Sequence, residues 1–496
     1  MKRIRAINIL VVLALLLLSV SVVSAAGPTG SWVTGIACQN LNTTTQALVT
    51  FQFYQEGIST PALSFADTIA AGGSKNYYTP SSPAGLPAPF SGSLTVSSDQ
   101  PVTCNANLQS TGTGTALSPY RYGTASALDS TQAGTTMYVP QVDRLTGSWE
   151  SYIAVQNAGS AAETFTVHYY DRTTGLEITS AAETWTIDPN SSKVVYPELN
   201  THLPAQWYGG AVITGTQPKA VIVTTYNTGA DSKTSQFQVY DGFASGSKTL
   251  NIPRIVRRYY GFNSGLTIQN VGSVDTTVTF NMKFKDGSTY SWTSANIKAK
   301  ASLLLYATNI PQINAVDGLA MNLRTGSGTV TANAAGASIV GIVNIDNRGT
   351  AADNNNGTVP AENIGKGASS GMGIMGTETF KVFFSQVNKH AGGLFTGGVI
   401  VANTTATAGT CTFTFAGQPA SVSATVPTAN AAGNVVLPAS GQIAFSLLNV
   451  TALPNGFNAS VTATCTQKVF GVSNWSVDTG TGKLGDSYVE NNGYNQ

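Results

Sequence analysis

The chain has 496 residues, 42% of them hydrophobic and only 10% charged, with a formal net charge of +1. A disordered chain would be poorer in apolar residues. A chain built for nucleic acid or an anionic membrane would carry a basic excess, so neither is expected as a partner.

Residues 1–26 read as a secretion signal. Lys2, Arg3 and Arg5 form the charged start, Ile9 to Leu18 is an uninterrupted apolar run, and Val23-Ser-Ala25 puts small residues at the cleavage positions. Cutting is expected after Ala25 or Ala26. The run is too short to span a bilayer. No cysteine follows it closely enough to carry a lipid, and no later stretch is long and apolar enough to cross, so no transmembrane anchor is predicted. Losing three basic residues with the signal leaves a slightly negative mature chain.

The rest is organised around one recurring stretch. Trp149 to Asn157 reads W-E-S-Y-I-A-V-Q-N. Trp32 to Asn40 (W-V-T-G-I-A-C-Q-N), Phe262 to Asn270 (F-N-S-G-L-T-I-Q-N) and Phe395 to Asn403 (F-T-G-G-V-I-V-A-N) repeat its plan. Each has an aromatic, three mostly small or polar residues, then an alternating strand ending in Asn. The copies stand a domain's length apart. They predict four β-domains: 27–135, 136–247, 248–364 and 377–479, with a Gly/Ser-rich linker at 365–376 and a polar tail at 480–496.

Within each repeat the landmarks keep their order. A second strand alternates with period two: Val49, Phe51 and Phe53; Phe165, Val167 and Tyr169; Val278, Phe280, Met282 and Phe284; Cys411, Phe413 and Phe415. That period predicts a sheet with one buried and one wet face. A hairpin turn follows, then a third strand carrying Phe65, Trp185 or Trp292. A Leu-Pro landmark comes next: Leu86-Pro-Ala-Pro-Phe90, Leu203-Pro-Ala-Gln-Trp207 and Leu453-Pro-Asn-Gly-Phe457. A closing strand ends the repeat. Before repeats two and three stand matching joins, Y-V-P-Q-V-D-R ending at Arg144 and N-I-P-R-I-V-R ending at Arg257. Proline stiffens such a join, so an extended string of domains is expected. Many short strands without helical periodicity indicate immunoglobulin-like β-sandwiches.

The four cysteines allow three pairings. In an exported chain they are expected as structural disulfides, with Cys38 bonded to Cys104 and Cys411 to Cys465, one bridge in each terminal repeat. Cys38 takes a slot that is Val155 in repeat two and Ile268 in repeat three. The first bridge is expected to link the two sheets of its sandwich.

The run from the I/V-P-x-V/I-x-R join, through W/F-N/E-S-x-I-x-V-Q-N and the Y-Y-D turn, to L-P-A-x-F/W and Q-P resembles a tandem repeat of secreted bacterial surface proteins. That resemblance covers repeats one to three and weakens in repeat four. It implies strings of β-sandwich modules, export, and a surface role without catalytic residues.

The chemistry-bearing motifs lack the partners their chemistry needs. Gly367-Ala-Ser-Ser-Gly371 fits G-x-S-x-G around Ser369, but that motif needs a strand-to-helix elbow and a downstream acid and histidine. Gly371-Met-Gly-Ile-Met-Gly376 fits G-x-G-x-x-G, but Thr396 and Gly397 stand where an acidic residue should be. His168, His202 and His390 are scattered, and no zinc pattern exists. Asp353 to Gly357 offers one carboxylate, a weak basis for Ca²⁺, so no cofactor is expected. Seven Asn residues begin N-x-S/T: Asn42, Asn190, Asn356, Asn403, Asn449, Asn458 and Asn474. They matter only in a host that glycosylates such sites. Arg254, Arg257 and Arg258 with Tyr259 and Tyr260 form a candidate contact for an anionic polysaccharide or a neighbouring domain. Trp475 is the one tryptophan outside the recurring aromatic slots, and so the candidate sugar platform. The expectation is a secreted, non-catalytic structural or adhesive protein, the subunit of a surface layer, sheath or fibre, meeting itself or other surface proteins. The rival is an extracellular carbohydrate-binding protein.

Overall fold

A computed structural model of the chain describes residues 27–79, 81–129, 131–229, 231–350 and 359–495. The secretion signal at 1–26, the Asp353 to Gly357 loop and Asn356 lie outside these residues. The described protein is all-β, its strands joined by turns and short 3₁₀ segments.

Repeat two shows the plan. Glu183–Ile187, Glu163–Asp171, the first half of Trp207–Asn227 and Gly134–Arg144 form one sheet. Ser192–Val195, Trp149–Asn157, the second half of Trp207–Asn227 and Phe237–Asp241 lie side by side in the other. The long closing strand thus serves both. It changes partners around Gln217-Pro218, where the register with Gly134–Arg144 shifts between Thr214 and Lys219; proline has no N–H to give a ladder. Phe165, Val167 and Tyr169 point inward and are fully buried, together with Met137, Val139 and Val142 from Gly134–Arg144. Burying each such side chain contributes roughly 1.5–3 kcal/mol.

The Asn that ends each signature strand is a buried knot. Asn157 Nδ2 donates to Ala161 O at 2.8 Å and Ile187 O at 3.1 Å, while its Oδ1 accepts from the Gly159 N–H. Asn40, Asn270 and Asn403 repeat the arrangement. A single side chain ties the end of one strand to two loops, which explains why this residue recurs.

Repeats three and four reproduce both sheets, with Thr249–Val256 and Thr379–Lys389 in the place of Gly134–Arg144. We call these three the lead-in strands. Among the described residues repeat one has none. Its first sheet stops at Pro61–Ile69, Ala47–Gln55 and Gly92–Ser98. Its second sheet is complete, with Ser74–Tyr78, Trp32–Asn40, Val102–Ser110 and Tyr120–Ser126.

The repeats do not form an extended string. The last strand of each second sheet packs on that of the next repeat: Tyr120–Ser126 on Phe237–Asp241, that strand on Lys366–Gly371, and that on Val489–Asn492. Val489–Asn492 in turn packs on Tyr120–Ser126. The result is a closed ring with four axial strands at its centre. Two stretches expected to be linker and tail build it. Lys366–Gly371 pairs with Ile339–Asn347, and its small residues permit close approach: a Cβ on Gly367 would lie 2.8 Å from Gln238 Nε2. Beyond residue 480, Gly485–Asp486 runs parallel to Tyr120 and Arg121, Val489–Asn492 pairs with Phe457–Val477, and Tyr494–Asn495 pairs with Thr379–Lys389. Proline in the join stiffened the strand without preventing a turn after it.

Cys38–Cys104 and Cys411–Cys465 are both bonded. Neither links two sheets. Cys38 lies directly opposite Cys104 on neighbouring strands of one sheet, and Cys411 opposite Cys465. Cys38 does occupy a core slot, but its cross-strand neighbour at that slot is the closing strand. Both bridges suit an oxidising, extracellular environment.

Candidate functional site

Several of the buried polar side chains meet at the joints between repeats. The joint between repeats two and three is built by the lead-in strand. Gln141 projects from Gly134–Arg144, and its Oε1 accepts from Asn344 Nδ2 at 2.6 Å and from Thr267 Oγ1 at 3.1 Å. The joint that closes the ring, between repeats four and one, repeats this bond. Gln386, at the same place in its lead-in strand, accepts from Asn107 Nδ2 at 2.6 Å. Asn344 and Asn107 occupy equivalent places, opposite Gly265 and Gly35. Ser385 adds a bond to Asn105 at 2.6 Å, and Gln39 one to Thr462 at 3.1 Å. A matched amide pair across a joint fixes register as well as contact, since the buried Asn alone would be left unsatisfied.

Between repeats three and four, Arg254 stands where those two joints have Gln. It is buried, its Nη1 donates to Tyr488 Oη, and it lies 3.3 Å from Glu490. Asn474, equivalent to Asn344, donates to the same Tyr488 Oη at 3.2 Å. Burial disfavours the charged guanidinium, but Tyr488 and Glu490 outweigh it and hold Arg254 above its ordinary range.

The other candidate basic residues are likewise turned inward. Arg257 ends its lead-in strand and reaches the Ala307 carbonyl at 2.5 Å and both Asp317 oxygens. Arg144 donates to Pro204 O at 3.1 Å, and Lys389 to Val450 O and Leu453 O, each at 2.7 Å. The basic residue closing the join motif therefore clamps carbonyls near the Leu-Pro landmark. Arg258 pairs with Asp317. Tyr259 and Tyr260 meet edge to face at 4.9 Å, with Arg254 over the Tyr259 ring at 5.5 Å; only Tyr260 is exposed. Trp475 is 4% exposed. It packs against Phe395 at 5.4 Å and Tyr122 of repeat one at 6.0 Å, inside the ring. It offers no face to a sugar.

A polar cleft opens beside the joint of repeats two and three, lined by Asp143, Trp149, Arg172, Tyr306, Asp346 and Arg348 among others. The aromatic faces that would stack on a sugar instead carry the Arg348 guanidinium, 5.8 Å from the Trp149 ring and 5.2 Å from that of Tyr306. Arg348 is also paired with Asp346 at 2.7 Å. Burial pushes the Asp143 carboxyl up to about 7, and the Gln141 hydrogen bond and the Arg348 and Arg172 charges offset only part of that. Burial and neighbouring Glu198 likewise push Glu150 up to about 7. At the axis, burial holds Asp486 well above the carboxylate range, although it accepts from the Phe237 N–H at 2.7 Å.

Ser369 lies on an axial strand and donates to Asn344 Oδ1 at 2.5 Å. The G-x-G-x-x-G stretch leads into the strand Thr379–Lys389, not a helix. His168 spans Glu177 and Thr214, and His390 is paired with Asp478. Among the described residues, no group of three or more His, Cys, Asp or Glu side chains is placed to hold a metal ion, and no helix is long and apolar enough to cross a membrane. The candidate sugar-contact residues named from sequence are mostly turned into cores and joints, Trp475 above all, while the joint pairs were missed. Their signal was present: S-Q-V-N-K, ending at Lys389, matches P-Q-V-D-R ending at Arg144.

No protein-family model matches the chain, and no curated protein matches it. Among solved structures, one described as a "tetra-tandem repeat in extending region of large adhesion protein" aligns over 93% of this chain and 95% of that one, at 11% identity and a TM-score of 0.11. At that TM-score the alignment does not establish a shared fold.

Proposed function

We propose that this chain is a secreted, non-catalytic structural or adhesive protein: four tandem immunoglobulin-like β-sandwiches closed into one rigid block that serves as a subunit of a cell-surface layer, sheath or fibre. The supporting observation is the use made of the recurring residues. The signature Asn ties loops, the aromatics fill cores, the join Gln matches an Asn across a joint, and the join Arg or Lys clamps carbonyls. All are spent on shape. The two disulfides fit an extracellular setting, and the low charged fraction, 10% of the chain, suits contact with like neighbours. Electron microscopy of the purified protein across salt and Ca²⁺ concentrations tests this. Ordered arrays or fibres are expected under some condition; a monomer under all of them would overturn the assembly reading.

A further inference from the structure

In repeats two, three and four a lead-in strand lies against the first half of the closing strand. In repeat one the corresponding strand, Gly92–Ser98, pairs with Ala47–Gln55 on one side and, among the described residues, with no strand on the other. Among the described residues, Leu94 to Ser97 make no backbone hydrogen bond outside that pairing. The side chains beneath show the same vacancy in the pattern. Ala211 and Ile213 are fully buried under Val139 and Met137, and Val461 and Ala463 are fully buried in repeat four. Their counterparts Leu94 and Val96 are only half-buried, as are Phe65, Leu86 and Phe90 around them. Ser93 reaches Asn190 O of repeat two at 2.8 Å, by its side chain and from the outer face. Among the described residues no strand covers that edge.

We propose that the edge of Gly92–Ser98 is a docking slot that takes an extended strand from a separate polypeptide. Adding a strand to an open edge satisfies its unpaired backbone groups, and pockets for alternate side chains select the sequence. The three lead-in strands define the occupant's chemistry. It runs antiparallel to Gly92–Ser98 and is apolar at three places, as in Met137, Val139 and Val142 or in Val382, Phe384 and Val387. It ends in Lys or Arg, which meets carbonyls near the Leu-Pro landmark as Arg144 and Lys389 do. A second folded copy does not fit this description, because each of its lead-in strands is already paired in its own repeat. The slot rests on the reading that residues 1–26 are removed on export, and not on the surface-assembly reading.

The test uses the exported chain, its N-terminus fixed by intact mass, and a labelled synthetic peptide copying its own lead-in strand, Gly134 to Arg144. Fluorescence anisotropy should show saturable binding. A control peptide carrying M137D, V139D and V142D should bind at least about 30-fold more weakly, because three apolar side chains no longer enter the core. Hydrogen exchange should then show new protection confined to Gly92–Ser98. Absence of binding, equal binding of the control, or protection elsewhere would overturn the proposal. So would an exported chain that retains residues before Gly27 and already protects Gly92–Ser98, since the slot would then be filled from within. Array formation is scored separately by microscopy, so failure of one reading leaves the other standing.

Discussion

Repeats one and two are built from the same landmarks, yet one holds its core shut and the other does not. In repeat two the lead-in strand places Met137, Val139 and Val142 over Ala211 and Ile213, and every one of these is fully buried. In repeat one the same closing-strand positions, Leu94 and Val96, remain partly in water, and the repeat carries a cross-strand disulfide instead. The comparison teaches that one strand per repeat does two jobs. It completes the sandwich behind it, and through Gln141 or Gln386 it also sets the joint with the neighbouring repeat. In repeat one, where the described residues include no such strand, other contacts make the joint. Between repeats one and two these are Lys193 with Glu56 at 3.1 Å, the Gly57 N–H on Ser192 O at 3.2 Å, and Ser93 on Asn190.

The sharpest way to probe that difference is to truncate equivalent core positions. Ile213→Ala removes a side chain packed on all sides and should cost about 3–4 kcal/mol, whereas Val96→Ala, at the uncovered edge, should cost about 1 kcal/mol. Denaturant unfolding of the two variants measures this; equal costs would show that the lead-in strand adds nothing to the core beneath it.

A smaller effect is expected at the joints. Gln386→Ala strands the buried Asn107 amide and should destabilise the closure by about 2 kcal/mol, with Gln141→Ala doing the same to Asn344 in the other joint. Hydrogen exchange should rise in Val102–Ser110 for the first variant and in Ile339–Asn347 for the second. An exchange pattern that ignores which Gln was changed would break the equivalence of the two joints.

The smallest effect is in pH. The native Asp143 carboxyl titrates at about 7, against an ordinary value near 3.8. The folded state thus binds the proton more tightly than the unfolded one. The contribution of Asp143 is complete below pH 4 and is lost as pH rises through 7, so from pH 6 to 8 stability should fall by about 1 kcal/mol on its account. Asp143→Asn should flatten that slope. Repeat four has Asn388 at the matching position, so its joint should show no counterpart. A slope unchanged in the variant would place the titration elsewhere, with Glu150 and Asp241 the next groups to vary.

Much of the repeat could be read from the residues alone, because period-two alternation and the Asn, aromatic and Leu-Pro slots are local signals that recur with the core they build. The pairing of the cysteines could be read too, though not its place within one sheet, since a core slot says nothing about which strand lies beside it. Two features were hidden for physical reasons. The stretch 365–376 looks like a linker because glycine and serine usually mean freedom, but at the axis small residues are what four crowded strands require. The ring closure depends on side-chain pairs such as Gln386 with Asn107, nearly three hundred residues apart, and nothing local in a stiff, proline-bearing join announces where the next repeat will turn.

Whether the four repeats close on themselves is best settled by small-angle X-ray scattering of the purified monomer. A closed block of this size should give a radius of gyration of about 23 Å, the value for a compact chain of roughly 470 residues. A radius of about 40 Å or more, with the long distance distribution of a rod, would mean that the repeats stand in line and that the joint between repeat four and repeat one does not form.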